Sequence, residues 1–190
     1  MKIAIISDVH ENIHNLVLAL KKIEELSAEQ IIFLGDLINP GIAKHISKLN
    51  IPTFAIFGNN DGDISGLMEV SLQKGSNLKF GFTNYDIVKF DNRKIFLTHF
   101  PMLAKPMAKS KEFDAVFYGH NHEKHQEMIG DCLVLNPGEL SAHKTKTASI
   151  ALYDTKTNTA EIIILEGSIS TKTDEAEKYF KQIIDNTHKY

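Results

Sequence analysis

The chain has 190 residues, 43% of them hydrophobic, and a formal charge of −3. This size and apolar share fit one globular domain with a real core and exclude a disordered chain, while the slight acidity argues against a nucleic-acid groove as the main surface. No apolar run approaches the roughly 20 residues of a membrane span, and lone Cys132 excludes an internal disulfide, so a protein of the reducing cytoplasm without membrane contact is expected.

From the N-terminus, residues 2–7 read as a strand buried on both faces. Asn12 is placed to cap a helix whose apolar positions, Ile13, Leu16, Val17, Leu20, Ile23 and Leu26, recur at helical spacing. Residues 30–34 form a second strand. Pro40 and Gly41 open a second helix carrying Ile42, Ile46 and Leu49. Residues 53–57 form a third strand, and about 63–73 a third helix with Leu67, Met68 and Leu72. This β-α-β-α-β order predicts a parallel sheet with helices on its faces. After Gly75 three hairpins are expected: 85–90 with 93–98, 124–129 with 132–135, and 148–153 with 161–165. A short helix within 101–111 and a strand at 115–118 lie between the first two, so the second half should be largely antiparallel. Residues 173–188 read as an amphipathic helix capped by Thr173, with Ala176, Tyr179, Phe180, Ile183 and Ile184 on one face. It is expected to dock on the main domain, residues 1–167, or on a second copy in a homo-oligomer.

Chemistry concentrates where the apolar runs stop. Residues 3–6 lead to Asp8 and His10, 31–34 to Gly35-Asp36, 54–57 to Gly58-Asn59-Asn60-Asp61, 95–97 to His99, and 115–118 to Gly119-His120-Asn121-His122. In open α/β sheets the carboxyl ends of strands are where sites are built. Each segment alone has a plain structural reading: a helix cap at Asp8 or Asp36, a core histidine at His99, a loop at Asn59–Asp61. Together they place Asp, His, Asp, Asn and three further His at the same kind of strand end. That is too many donors for one metal and suits two borderline cations sharing a carboxylate. No cysteine joins them, which disfavours a structural zinc site. Arg93 is the one arginine, so the charge of a bound phosphate would fall to the cations.

In this order the five segments resemble the motifs of the calcineurin-like metallophosphoesterases. The chain length resembles their small bacterial and archaeal phosphodiesterase branch, which shares its fold with the eukaryotic retromer subunit. The likeness runs from residue 1 to about 165. It implies a four-layer α-β-β-α sandwich of two mixed sheets flanked by helices, and a metal-dependent phosphodiesterase acting on a small phosphodiester. It also implies that Asp8, His10, Asp36 and His122 hold one cation and Asp36, Asn59, His99 and His120 the other, with Asp36 bridging. Such a pair would lower the pKa of a bridging water and orient it for in-line attack on phosphorus. Manganese is the first expectation, with nickel, iron, cobalt and zinc compatible with the same donors.

Two positions depart from the resemblance. Many members carry His after the metal-binding Asn; here Asn60 can hydrogen-bond a phosphate oxygen but cannot usefully donate a proton near neutral pH. His143 and His14 are the alternative proton donors on sequence proximity. Leu135-Asn136-Pro137-Gly138 resembles a loop that usually continues with Ser, where this chain has Glu139. Asp61 is expected to support a ligand from behind, or to cap the following helix. The alternative function is a non-catalytic protein-binding scaffold of the same fold, against which the complete ligand set speaks. The run from His120 to His125 also resembles the metallo-β-lactamase HxHxDH motif, but Lys124 stands where that motif needs Asp.

Overall fold

A computed structural model describes residues 1–171. The helix expected over 173–188 lies outside the described residues. In chain order the first elements are β1 (Lys2–Ile6), α1 (Ile13–Glu25), β2 (Gln30–Phe33), α2 (Pro40–Ile46), β3 (Thr53–Ala55), α3 (Ile64–Leu72) and β4 (Leu78–Phe80). They are followed by β5 (Tyr85–Phe90), β6 (Arg93–Thr98), α4 (Pro101–Lys109), β7 (Ala115–Phe117), β8 (Lys124–Ile129), β9 (Cys132–Pro137), β10 (Ser149–Asp154) and β11 (Thr159–Ile164). One sheet has the order β11-β10-β1-β2-β3-β4 and the other β5-β6-β7-β9-β8.

Period-2 alternation sets the layers. In β1, Ile3 and Ile5 face the second sheet, meeting Ile95, Leu97, Phe117, Leu133 and Leu135. Ala4 and Ile6 face the other way, toward Leu16, Ala19 and Ile23 of α1 and Ile42 and Ile46 of α2. On the far side, Phe96, Val116 and Val134 carry Ala104 and Ala108 of α4. The result is the expected helix–sheet–sheet–helix sandwich. Burying each large apolar side chain in it contributes roughly 1.5–3 kcal/mol. No helix among the described residues is long and apolar enough to cross a membrane.

Several expectations are corrected. All three expected hairpins form, β5–β6, β8–β9 and β10–β11, but the middle of the second sheet departs from the antiparallel expectation, since β6, β7 and β9 run parallel. α4 provides the crossover from β6 to β7, so 93–98 belongs both to a hairpin and to a βαβ unit. β4, parallel to β3, is an additional strand too short to stand out between Asn77 and Gly81. In α1 the interior stripe is rotated from the apolar one. Ile13 is 57% and Val17 44% exposed, whereas polar Asn15 is fully buried with Leu16, Ala19 and Ile23. The Asn15 amide donates to Leu140 O (2.7 Å) and Ile169 O (2.8 Å), and its oxygen accepts from Ile169 N (2.9 Å), which draws it inward. Asn12 caps α1 as expected, accepting from Asn15 N at 3.1 Å.

Candidate metal centre

The parallel strands β1, β2 and β3 of one sheet and β6 and β7 of the other release their chains at one edge of the sandwich. The loops there turn back sharply. Asp8, His10, Asp36, His120 and His122 all have left-handed backbones, with φ between 44° and 73°. For residues with a Cβ this costs roughly 1–2 kcal/mol each, a concentration of strain that marks a functional edge. Gly35, at φ 100°, lets the loops after β2 and β3 close on a histidine from the opposite sheet: a Cβ there would stand 2.6 Å from Gly58 N and 2.7 Å from His99 Nδ1.

All seven sequence-nominated donors meet at this edge. Asp8 Oδ2 accepts from Ser7 Oγ (2.6 Å) and His120 N (3.0 Å). Its Oδ1 lies 3.5 Å from His122 Nε2 and 3.7 Å from His10 Nε2, and His10 Nε2 lies 3.2 Å from Asp36 Oδ2. His99 donates from Nδ1 to Leu34 O (2.7 Å), which leaves Nε2 3.6 Å from Asp36 Oδ2 and 2.9 Å from Asn59 Oδ1. His120 Nδ1 lies 2.8 Å from the same Asn59 oxygen and 3.3 Å from His99 Nε2.

These residues fit divalent cations. Asp8 Oδ1 and His10 Nε2 are buried and have no hydrogen bond, a state that costs a buried polar atom about 1–3 kcal/mol unless something fills it. Donor atoms of Asp8, His10 and His122, and of Asp8, Asp36 and His99, lie within 4.8 Å of one another. Every donor is nitrogen or oxygen, a set that borderline cations accept. The electrostatics agree. Burial alone would raise the Asp8 carboxyl, but His10, His99, Ser7 and His122 hold it below the usual carboxylate range. Burial would lower His10, but Asp8, Asp36 and Glu139 raise it. His120 is lowered by burial and by the neighbouring His99.

Asn60 donates to both oxygens of Asp36, from N and from Nδ2, each at 2.8 Å. Asp61 caps no helix; Asp63 caps α3 instead, accepting from Gly66 N at 2.9 Å. Asp61 rather collects the amides of Gly58 (2.7 Å), Asp36 (3.0 Å) and Ile38 (2.6 Å), tying the loops after β2 and β3 together. Burial, with Asp36 nearby, pushes its carboxyl up against those three donors. The His143 ring sits 5.7 Å from that of His10, so it does reach the site, while His14 donates to Gly167 O at 3.0 Å.

Two contributors were missed from sequence. Phe100 stands edge-on to His99 (5.2 Å) and His120 (5.1 Å), an apolar wall for the second donor group. Glu139 is fully buried and accepts from His122 Nδ1 at 2.6 Å. Burial would raise this carboxyl, but donors from His122, Ser141 and Thr145 hold it far below the usual range. Its only sequence signal was an unusual residue after Gly138. By contrast, a cleft of about 910 Å³ around Met1, Asp91 and Thr155 opens at the opposite strand ends and contains none of the donors.

Over residues 1–158 the chain matches the calcineurin-like phosphoesterase superfamily domain. It is 33% identical over 168 residues to phosphodiesterase MJ0936 of Methanocaldococcus jannaschii, covering 87% of this chain and all of that protein. Among solved structures, one described as a novel archaeal phosphodiesterase superposes with a TM-score of 0.76 at 30% identity, over 87% of this chain and 100% of that one. Vps29 of Entamoeba histolytica superposes with a TM-score of 0.58 at 16% identity, over 86% of this chain and 99% of that one, and shares the fold. Donor edge, sandwich and matched span together place the chain in the calcineurin-like phosphoesterase superfamily, within its branch of small metallophosphoesterases.

Proposed function

We propose that this metal-dependent phosphoesterase hydrolyses small phosphodiesters at a centre of two divalent cations. Asp8, His10, Asp36 and His122 would hold one cation, and Asp36, Asn59, His99 and His120 the other. The observation that carries this reading is the gathering of seven N and O donors from five strand ends around two buried atoms, Asp8 Oδ1 and His10 Nε2, that lack hydrogen bonds. When bound, the cations supply an activated water for attack on phosphorus and offset the charge of the phosphoryl oxygens.

The chain's own residues provide the rest. Ser7 and the His120 amide hold one oxygen of Asp8, so the other aims inward. Leu34 O fixes the proton of His99 on Nδ1 and leaves Nε2 to bind. Asp61 keeps the Asp36 and Asn59 loops in register through three amides. The Asn60 amide is stationed at Asp36, where it can donate to a phosphoryl oxygen. Arg93 is committed elsewhere, to Thr155 O, Lys156 O and Asp114, so no guanidinium clamps the phosphate. With no acid at position 60, diesters with activated leaving groups should react best.

The test is hydrolysis of bis-p-nitrophenyl phosphate by metal-stripped protein titrated with manganese. Saturable, metal-dependent release of nitrophenol is expected, faster than from the p-nitrophenyl monoester. Asp36→Asn should cost more than about 100-fold in turnover and lose manganese in parallel, since one carboxylate serves both cations. No turnover with manganese, nickel, iron, cobalt or zinc would leave the non-catalytic scaffold as the better reading.

A further inference from the structure

Glu139 lies outside the seven donors, yet it is the buried carboxylate with the most contacts at this edge. Oε2 accepts from His122 Nδ1 (2.6 Å), Ser141 Oγ and His143 N (2.9 Å). Oε1 accepts from Lys144 N (2.9 Å), Thr145 N (2.7 Å) and Thr145 Oγ1 (2.9 Å). Four N–H groups face it, two to each oxygen, together with the hydroxyls of Ser141 and Thr145, so the seat suits an ionised carboxylate. A glutamine would set N–H against N–H whichever way it turned.

The seat is also fixed to the loop it serves. Leu140 N donates to Ser7 O (3.0 Å) and Ser141 N to Asp8 O (2.9 Å). Asn15 and Asn12 at the head of α1 hold Leu140 O (2.7 Å) and Ser141 O (3.0 Å). Glu139 is thereby locked to the backbone that carries Asp8 and cannot follow His122 if the imidazole swings; the imidazole must follow it. The other two imidazoles from the second sheet have no such support: His99 leans on a neutral carbonyl, and His120, whose Nδ1 faces the site beside Asn59, has no hydrogen bond at Nε2 among the described residues.

We propose that Glu139 is a positioning residue for the cation site of Asp8, His10 and His122, fixing the His122 proton on Nδ1 and making this the tighter of the two sites. A carboxylate behind a ligating histidine orients the ring and raises its basicity, and losing such a partner typically costs 10–100-fold in metal affinity. The asymmetry follows because one imidazole has an anion behind it and the others do not. The inference rests on the metal-centre reading given under the proposed function.

The experiment measures manganese affinity of the full, metal-stripped chain by chelator competition. Wild type should take up two ions in unequal steps. Glu139→Gln should weaken the tighter step by about 10–100-fold and leave the weaker step unchanged. In a His122→Ala background the same substitution should change affinity by less than about 3-fold, because its effect passes through that imidazole. Equal losses in both backgrounds, or no loss in either, overturn the proposal. A second reading needs no variant: 15N shifts of the wild-type imidazoles should place the His122 proton on Nδ1 before and after diamagnetic zinc is added in place of manganese, and a proton on Nε2 overturns the proposal. Wild type that takes up no manganese refutes the metal-centre reading and this inference with it. Two bound ions unmoved by Glu139→Gln refute the inference alone.

Discussion

Asn60 directs both its donors at one carboxylate, Asp36. A histidine there would add an acid matched to neutral pH, which general acid catalysis can turn into a large factor when the leaving group is poor. Asn60→His should therefore raise turnover on an alkyl phosphodiester by about 10-fold or more while changing bis-p-nitrophenyl phosphate hydrolysis little. The ratio of the two rates is the measurement. An unchanged ratio would shift attention to His143, beside His10. Cys132 makes the opposite case, a reactive residue type with no reactive role. It sits beneath α4, 3% exposed, and burial pushes its thiol up to about 11. Thiolate is the reacting form, so at pH 8 only about one thiol in a thousand is ready to react. Native protein should titrate with a disulfide reagent far more slowly than protein in urea, and the rate should climb as pH rises toward the shifted value. Equal rates in both states would mean the strand is open to solvent.

The ligand loops depend on backbone room as much as on ligands. Gly35 combines a left-handed φ of 100° with Gly58 N 2.6 Å and His99 Nδ1 2.7 Å from where a Cβ would sit. Gly35→Ala should cost about 2–5 kcal/mol, the sum of a left-handed penalty and an overpacked contact. It should also displace His99 from Leu34 O. Urea denaturation checks the first effect and the His99 ring-proton shifts the second; a change under about 0.5 kcal/mol would show that the two loops can part freely. Such loops are readable in the chain because each follows a continuous apolar run, and five runs that all end in Asp, Asn or His point to one shared edge although each segment alone reads as a plain cap or loop. The inward turn of Asn15 is a different matter. Apolar spacing favours Ile13 and Val17, and only the carbonyls of Leu140 and Ile169, more than 100 residues away, pull the amide inside. Glu139 showed only as an unusual residue after Gly138 for the same reason: its partners assemble only when residues 141–145 fold around it and His122 arrives from the loop before β8.

For the whole molecule, the unbroken apolar runs at 3–6, 31–34 and 95–97 carried the layering, since each run had to bury both faces. The order of strands within the second sheet did not follow, because hairpin turns specify sequential neighbours and say nothing of β7 lying between β6 and β9. That order has a mechanical consequence. Asp8, His10, Asp36 and Asn59 hang from the first sheet, and His99, His120 and His122 from the second. Between the sheets the contact is otherwise mostly apolar and without direction. A cation gripped from both sides would act as a rivet through the stack. At a manganese concentration 100 times its dissociation constant, such a rivet should add about 2.7 kcal/mol, raising the melting temperature by about 5–10 °C. Amide exchange should slow in β1 and β6 together, and slowing in one sheet alone would mean that the grip is one-sided. Stripping the ions would then loosen the hold of one sheet on the other along with stopping the chemistry.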